Sequence, residues 1–160
     1  MRAVIQRVSN ANVTVDGREI GSCGPGFLIF LGIGQGDGPQ EVEKLWSKIF
    51  KLRIFPDGEK HTGASLGDTD GEVLIVSQFT LYADCRKGNR PSFSQAGDPE
   101  LSEQLYELFV QRAREDVRHV GCGSFGADMQ VSLVNDGPFT VLLDTDELAR
   151  PRKDREQPKA

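Results

Sequence analysis

Two short segments, Ser77-Gln78-Phe79-Thr80 and Asn135-Asp136-Gly137-Pro138, hold the residues best suited to chemistry in this 160-residue chain. The first brings two hydroxyls and a carboxamide to the end of an apolar, β-branched run, Val73-Leu74-Ile75-Val76, which reads as a buried strand. If the extended form continues, period two sends Ser77, Phe79 and Leu81 to one face and Gln78, Thr80 and Tyr82 to the other. Polar groups there suit a site, and equally suit a strand surfacing into solvent. The second segment sets a Gly-Pro bond between two apolar runs, residues 129–134 and 139–143. Proline has no N–H for a sheet ladder, glycine admits angles closed to other residues, and an X-Pro bond adopts cis for only about 0.5–1 kcal/mol. A rigid corner between two strands would aim main-chain carbonyls in an unusual direction. Asn-Asp-Gly is also ordinary hairpin-turn chemistry, and these residues taken alone favour the turn.

Thr80 is a tempting nucleophile, but a hydroxyl normally needs a partner base. The chain has two histidines, His61 in Lys60-His61-Thr62-Gly63-Ala64 and His119 near a helix end, so a hydroxyl-histidine-carboxylate triad has little support. Cys23, Cys85 and Cys122 are odd in number and form no CxxC pair, which suits reduced thiols in a cytoplasm and argues against zinc. We expect no metal and no cofactor. Gly32, Gly34, Gly36 and Gly38 lack both the P-loop ending and the dinucleotide spacing, and read as a loop.

The elements that must position these residues follow from periodicity. Ala3-Val4-Ile5 and Asn12-Val13-Thr14-Val15 read as strands, with an Asp16-Gly17 turn after the second, and residues 27–33 as a buried strand. Val42, Leu45, Trp46, Ile49 and Phe50 fall at helical spacing and predict an amphipathic helix over residues 40–53. Asp98 as N-cap and Pro99 as first residue open a second helix, whose apolar stripe of Leu101, Leu105, Leu108 and Phe109 ends before Gly121. The predicted class is α+β: one domain, a largely antiparallel sheet or barrel with two main helices packed outside. Residues 1–146 form that domain. Residues 147–160, where charges mix with prolines and apolar residues nearly vanish, are expected to be a disordered or loosely docked tail.

With 38% hydrophobic and 27% charged residues, the chain has the composition of a soluble globular domain. No apolar stretch approaches the roughly eighteen residues of a membrane span, and residues 1–8 read as strand, not signal peptide. A net charge of −5 disfavours broad electrostatic binding of nucleic acid. Arg86, Lys87 and Arg90 cluster locally, and from charge alone a solvated loop is the better reading.

Taken together, Ser77-Gln78-Phe79-Thr80-Leu81 and Asn135-Asp136-Gly137-Pro138-Phe139-Thr140 resemble the paired signatures of the D-aminoacyl-tRNA deacylases. Ile5-Gln6-Arg7-Val8, Arg90-Pro91-Ser92-Phe93-Ser94 and Phe125-Gly126-Ala127-Asp128-Met129 extend the resemblance in order, over about nine tenths of the chain. The resemblance implies hydrolysis of the ester in D-aminoacyl-tRNA and mischarged glycyl-tRNA, in a cytoplasmic homodimer with its sites at the interface. It implies that Gly137 and Pro138, with their bond in cis, reach into the partner's pocket and exclude L side chains. Ser77, Gln78, Phe79 and Thr80 line the pocket on this reading, with Asn135 and Asp136 shaping the turn and Arg7 bracing it. The implied partner is the aminoacylated acceptor end of tRNA, whose terminal 2′-hydroxyl assists water, and backbone N–H groups near Phe79 and Thr80 hold the oxyanion. It also raises the RNA reading of the Arg86–Arg90 cluster.

The chain departs from the family at Lys60-His61-Thr62-Gly63-Ala64-Ser65-Leu66, where a Lys-Met-Asn-Leu-Ser-like run is expected. It lacks an arginine before Phe125, and Phe139 stands where valine is usual. The rival reading is a non-catalytic nucleic-acid-binding module using the basic tail and the Arg86–Arg90 cluster. Overall acidity and the lack of an aromatic stacking platform weigh against it.

Overall fold

Apolar runs without polar alternation become strands covered on both faces, and two such runs make the centre of this molecule. The computed structural model describes residues 1–151. In chain order they form β1 (Arg2–Val15), β2 (Arg18–Cys23), β3 (Gly26–Gly32), α1 (Pro39–Phe50), β4 (Phe55–Asp57), β5 (Lys60–Ala64) and β6 (Glu72–Ser77). A 3-10 turn (Phe79–Tyr82), α2 (Pro99–Asp116), β7 (Val120–Cys122), β8 (Gln130–Asp144) and α3 (Thr145–Ala149) follow. β3 and β6, from the two apolar runs, lie side by side and parallel.

The main sheet runs β2-β1-β3-β6-β7, with β8 on the other edge of β1. β1 is long enough to pair antiparallel with β3 through its first half, with β2 through its second, and with β8 along most of its length. The β3–β6 and β6–β7 pairings are parallel, so the sheet is mixed. β2 and β7 curl towards each other until a Cβ on Gly21 or Gly121 would collide with backbone atoms of Cys122 or Ser22. Glycine at both positions lets the sheet come close to barrel closure. The shape is the barrel-like α+β arrangement that the sequence predicts.

Strand alternation then divides the core. Phe27, Ile29 and Leu31 of β3, with Val73 and Ile75 of β6, face α1 and α2, and pack on Leu45, Trp46, Ile49, Leu105 and Phe109. Leu28, Leu74 and Val76 point the other way, into a second cluster with Val8, Val13 and, from β8, Val131 and Leu133. Trp46 ties the helices together, with its ring edge-on to Phe109 at 5.7 Å and its Nε1 donating to Asp116 at 2.9 Å.

Asp98 caps α2 as the sequence indicates, accepting from the Glu100 and Leu101 N–H groups, with Pro99 first in the helix. The first helix ends at Phe50, three residues short of the predicted 40–53 span. Lys51 closes it, and the Leu52 and Ile54 N–H groups turn back to Ile49 and Leu52 carbonyls, steering the chain into β4. β4 and β5 make a small separate hairpin, so the atypical 60–66 stretch is mostly strand. At the far end the Asp144 side chain accepts from Asp146 N–H and starts α3, carrying helix past residue 146 to Ala149. The rest of the expected tail, residues 152–160, lies outside the described residues. Among the described residues, no helix is long and apolar enough to cross a membrane.

Candidate functional site

The extended alternation expected beyond Ser77 does not occur. β6 stops there because its partner β3 stops at Gly32. The Gln78 N–H takes the last rung, to Leu31 O at 2.7 Å, and the chain coils into the 3-10 turn. The turn is fixed from both ends. Tyr82 lies over Gly34, where any Cβ would overlap its ring. From β1, the Arg2 guanidinium stacks on that ring at 4.5 Å and donates to Leu81 O at 2.9 Å.

This coil keeps Ser77, Gln78 and Phe79 together as one wall of a cleft of about 290 Å³, faced by Phe125, Asp128 and Met129. Gln78 Nε2 donates to Thr80 Oγ1 at 2.5 Å. Neither histidine stands behind that hydroxyl. His61 is exposed on β5, and His119 Nε2 is 2.9 Å from Ser22 O near β7. The Phe79 and Thr80 N–H groups open the turn, whose first internal backbone bond is made by Leu81 N–H to Gln78 O. Phe79 is 57% exposed, and Phe93 meets its ring edge-on at 5.0 Å. The loop carrying Phe93 is anchored by a two-way backbone bridge between Asp84 and Ser92 and by Gln35 Nε2 donating to Ser94 O.

Near that loop the Arg86 guanidinium binds Asp84 and draws its carboxyl down to about 2. Of the predicted basic cluster, Arg86 is thereby committed to a carboxylate. A larger cavity of about 670 Å³ opens beside Tyr82, and its Asp37 is engaged by the Met1 ammonium at 2.6 Å and by Gly34 N–H at 2.7 Å.

The Gly137-Pro138 bond is cis. It does not separate two strands, as the sequence suggests, but sits inside the single strand β8. β8 pairs Thr140 with Gln6 and then Asn135 with Val8, so residues 136–139 bulge out opposite Arg7 alone. β1 runs straight past, because Asn135 Nδ2 bridges the base of the bulge to Arg7 O at 2.9 Å and to Phe139 O at 3.3 Å. Arg7 is 6% exposed and holds the bulge from beneath. Its Nε donates to Asp136 O at 3.0 Å, its Nη1 donates to Ile54 O, and its guanidinium lies 4.3 Å from the centre of the Phe139 ring. Phe139 thus supplies the flat face on which Arg7 stacks.

Asp136, Gly137 and Pro138 are exposed, and neither Gly137 nor Pro138 lines the cleft at Ser77. Ser77, Gln78, Phe79 and Thr80 are therefore brought together at one place, and Arg7, Asn135, Asp136, Gly137 and Pro138 at another. Phe93 as a neighbour of Phe79, and Phe125, Asp128 and Met129 as the opposite wall, had no role from sequence. Their only signal was membership of the Arg90–Ser94 and Phe125–Met129 blocks.

The chain is thus a single-domain α+β near-barrel with a polar cleft at one strand end and a bulge at its β8 edge. A family model described as D-Tyr-tRNA(Tyr) deacylase matches residues 4–144. A D-aminoacyl-tRNA deacylase of Roseiflexus castenholzii is 55% identical over 157 residues, covering 98% of this chain and 100% of that protein. One from Thermosipho africanus is 52% identical, covering 91% and 97%. A solved structure of the c-Myc DNA unwinding element binding protein is 43% identical with a TM-score of 0.85, covering 90% and 98%. A probable eukaryotic D-amino acid tRNA deacylase, 17% identical with a TM-score of 0.77 over 89% and 97%, shares the fold. The chain belongs to the D-Tyr-tRNA(Tyr) deacylase family.

Proposed function

We propose that this protein hydrolyses the ester bond of D-aminoacyl-tRNA, and of mischarged glycyl-tRNA, in the cytoplasm, releasing free tRNA and the D-amino acid or glycine. Residues 1–146 are the deacylase domain. The observation that carries the reading, beside family membership, is the separation of two polar features in one chain. An exposed bulge around Gly137 and Pro138 stands at one edge, and neither residue lines the cleft walled by Ser77, Gln78 and Phe79.

Two copies complete the site. Among the described residues β8 is an edge strand with Val134 and Leu142 exposed, and an edge of this length is a natural pairing surface. In the homodimer Gly137 and Pro138 of one subunit enter the cleft of the other. Their carbonyls hold the substrate ammonium and leave no room for an L side chain, whereas a D side chain points outward and glycine meets nothing. A backbone filter resists relaxation because no rotamer change moves it aside.

Water attacks the ester carbonyl, helped by the 2′-hydroxyl of the terminal adenosine, and the carbonyl–ribose bond breaks as the ribose oxygen takes a proton. The Phe79 and Thr80 N–H groups stabilise the oxyanion, a donor being worth roughly 2.7–4 kcal/mol. Gln78 and Ser77 orient the ester, and the exposed Phe79 ring packs near the adenosine. Thr80 needs no base on this route, consistent with a hydroxyl whose neighbour is a carboxamide.

The DNA-element-binding name of the 43% identical neighbour supplies a second reading, a nucleic-acid-binding module without catalysis. One experiment separates the two. Purified protein is incubated with D-Tyr-tRNA and L-Tyr-tRNA side by side. Loss of the D ester with the L ester intact is expected. Loss of neither moves the protein to the binding reading, and loss of both means that the bulge is no filter here.

A further inference from the structure

A basic cleft on the far side of α1 belongs to none of the sequence blocks that mark the family. It has a volume of about 550 Å³ and is lined by Lys44, Lys48, Lys51 and Arg53 with Ser47, Leu52 and Leu148. Among the described residues no carboxylate lines it, although the chain carries a net charge of −5. Two of the cations have neutral partners, Lys44 Nζ donating to Thr145 O at 3.0 Å and Lys51 Nζ to Ser47 Oγ at 3.2 Å. None of the ion pairs among the described residues uses any of the four. Lysines at a helix C-terminus favourably meet its dipole, which accounts for Lys48 and Lys51. It does not account for Arg53, which lies beyond the helix, or for four like charges gathered around one concavity.

The position of the cleft gives it a partner. Arg53 is followed by Ile54, whose carbonyl accepts from Arg7, and the same Arg7 holds Asp136 next to Gly137. The backbone at the rim of the basic cleft is thus tied, through one buried guanidinium, to the cis-proline bulge. Resting on the proposed cross-subunit site, we infer that this cleft binds phosphates of the tRNA acceptor arm whose ester lies in the neighbouring subunit. The subunit that supplies the filter also supplies cationic contacts to the RNA. Charge complementarity selects the occupant, since a tRNA arm presents successive phosphates and a cluster of three lysines and an arginine matches them without reading bases.

The test compares the full chain with Lys48→Gln/Arg53→Gln, and with the charge-preserving Lys48→Arg/Arg53→Lys. Binding of uncharged tRNA is measured across a range of salt concentrations, together with KM and kcat for D-Tyr-tRNA and thermal midpoints. The expected result for the neutralised variant is weaker tRNA binding, with a log K against log salt slope shallower by about 1 for each cation removed. KM rises several-fold, kcat and the thermal midpoint stay unchanged, and the charge-preserving variant behaves like the original. An unchanged slope and KM overturns the inference, as does loss of binding to phosphatidylserine vesicles with tRNA binding intact. If the original protein binds tRNA with this cleft yet hydrolyses nothing, the RNA contact stands and the deacylase reading falls. If it hydrolyses the D ester while the slope is insensitive to the cleft, only the inference falls.

Discussion

Arg7 and Asp136 meet twice across β1 and β8: Arg7 Nε lies 3.0 Å from the Asp136 carbonyl oxygen and 2.9 Å from its carboxylate. The guanidinium is buried while the carboxylate is half exposed, so the pair fixes a surface bulge to the interior. Replacing Arg7 with Met strands the Asp136 and Ile54 acceptors, and a loss of roughly 2–4 kcal/mol is expected. Discrimination should suffer beyond stability. At a temperature where the variant is still folded, the ratio of D-ester to L-ester hydrolysis is expected to fall. A variant that loses stability but keeps the full ratio shows that the brace serves folding alone.

Gly137 offers the converse case. A Cβ there meets nothing closer than Asn135 Oδ1 at 3.4 Å, an ordinary contact within one chain. Gly137→Ala is therefore expected to change stability by less than about 0.5 kcal/mol, while on the proposed cross-subunit site D-Tyr-tRNA hydrolysis is expected to drop, as the added methyl would enter the partner's cleft. Denaturant midpoints beside kcat/KM read both. Equal activity would put residue 137 outside the site.

Thr80→Ala should retain appreciable single-turnover activity, within about tenfold of the original, because no base stands behind its hydroxyl. Loss of several orders of magnitude would make Thr80 a nucleophile after all and return attention to a covalent ester on the enzyme.

Charging the outer surface of β8 tests the assembly. Leu142 is 67% exposed in the single chain, and Leu142→Asp costs little within it. Sedimentation is expected to show monomers, and deacylation should fall with dimer content and recover at high protein concentration. Active monomers would mean that the bulge works within its own chain.

Stability should decline in alkali. Burial, helped by the Glu72 carboxylate, pushes the Cys23 thiol from 9.0 up to about 11. Burial likewise raises the Tyr82 and Tyr106 hydroxyls, with Asp37 adding to the first and Cys122 to the second. A group whose folded pKa is raised stabilises fully below its unfolded pKa and loses that contribution as pH rises to the folded value. Urea midpoints are expected to hold up to about pH 9 and then fall towards pH 11, with a shallower fall in Cys23→Ala. A flat profile would mean that the thiol ionises freely in the native protein.

Much of the frame was legible because its signals are local. Asp98 and Pro99 mark the start of α2 through capping chemistry that needs no distant partner, and the spacing of Val42, Leu45, Trp46 and Ile49 declares α1. The polar cluster after Val76 and the Gly-Pro bond were equally plain. Their conformations were less so. Phe79–Tyr82 alternates like a strand, yet coils because β3 has ended and leaves no ladder to join. Likewise, residues 129–143 look like two strands split by proline, but β1 is long enough to hold them as one strand with a bulge.

The sequence by itself determined the class of fold, the two helices, the family and the two segments proposed to carry function, since composition, periodicity and motif order are properties of the chain. The tertiary structure alone decided the parallel β3–β6 and β6–β7 pairings, the anchoring of Asp136 and Ile54 on one buried guanidinium, and the exclusion of Gly137 and Pro138 from the lining of the Ser77 cleft. These depend on which strands find each other and where each one stops. Strand partners come from residues far apart in the chain, and no local pattern records their meeting.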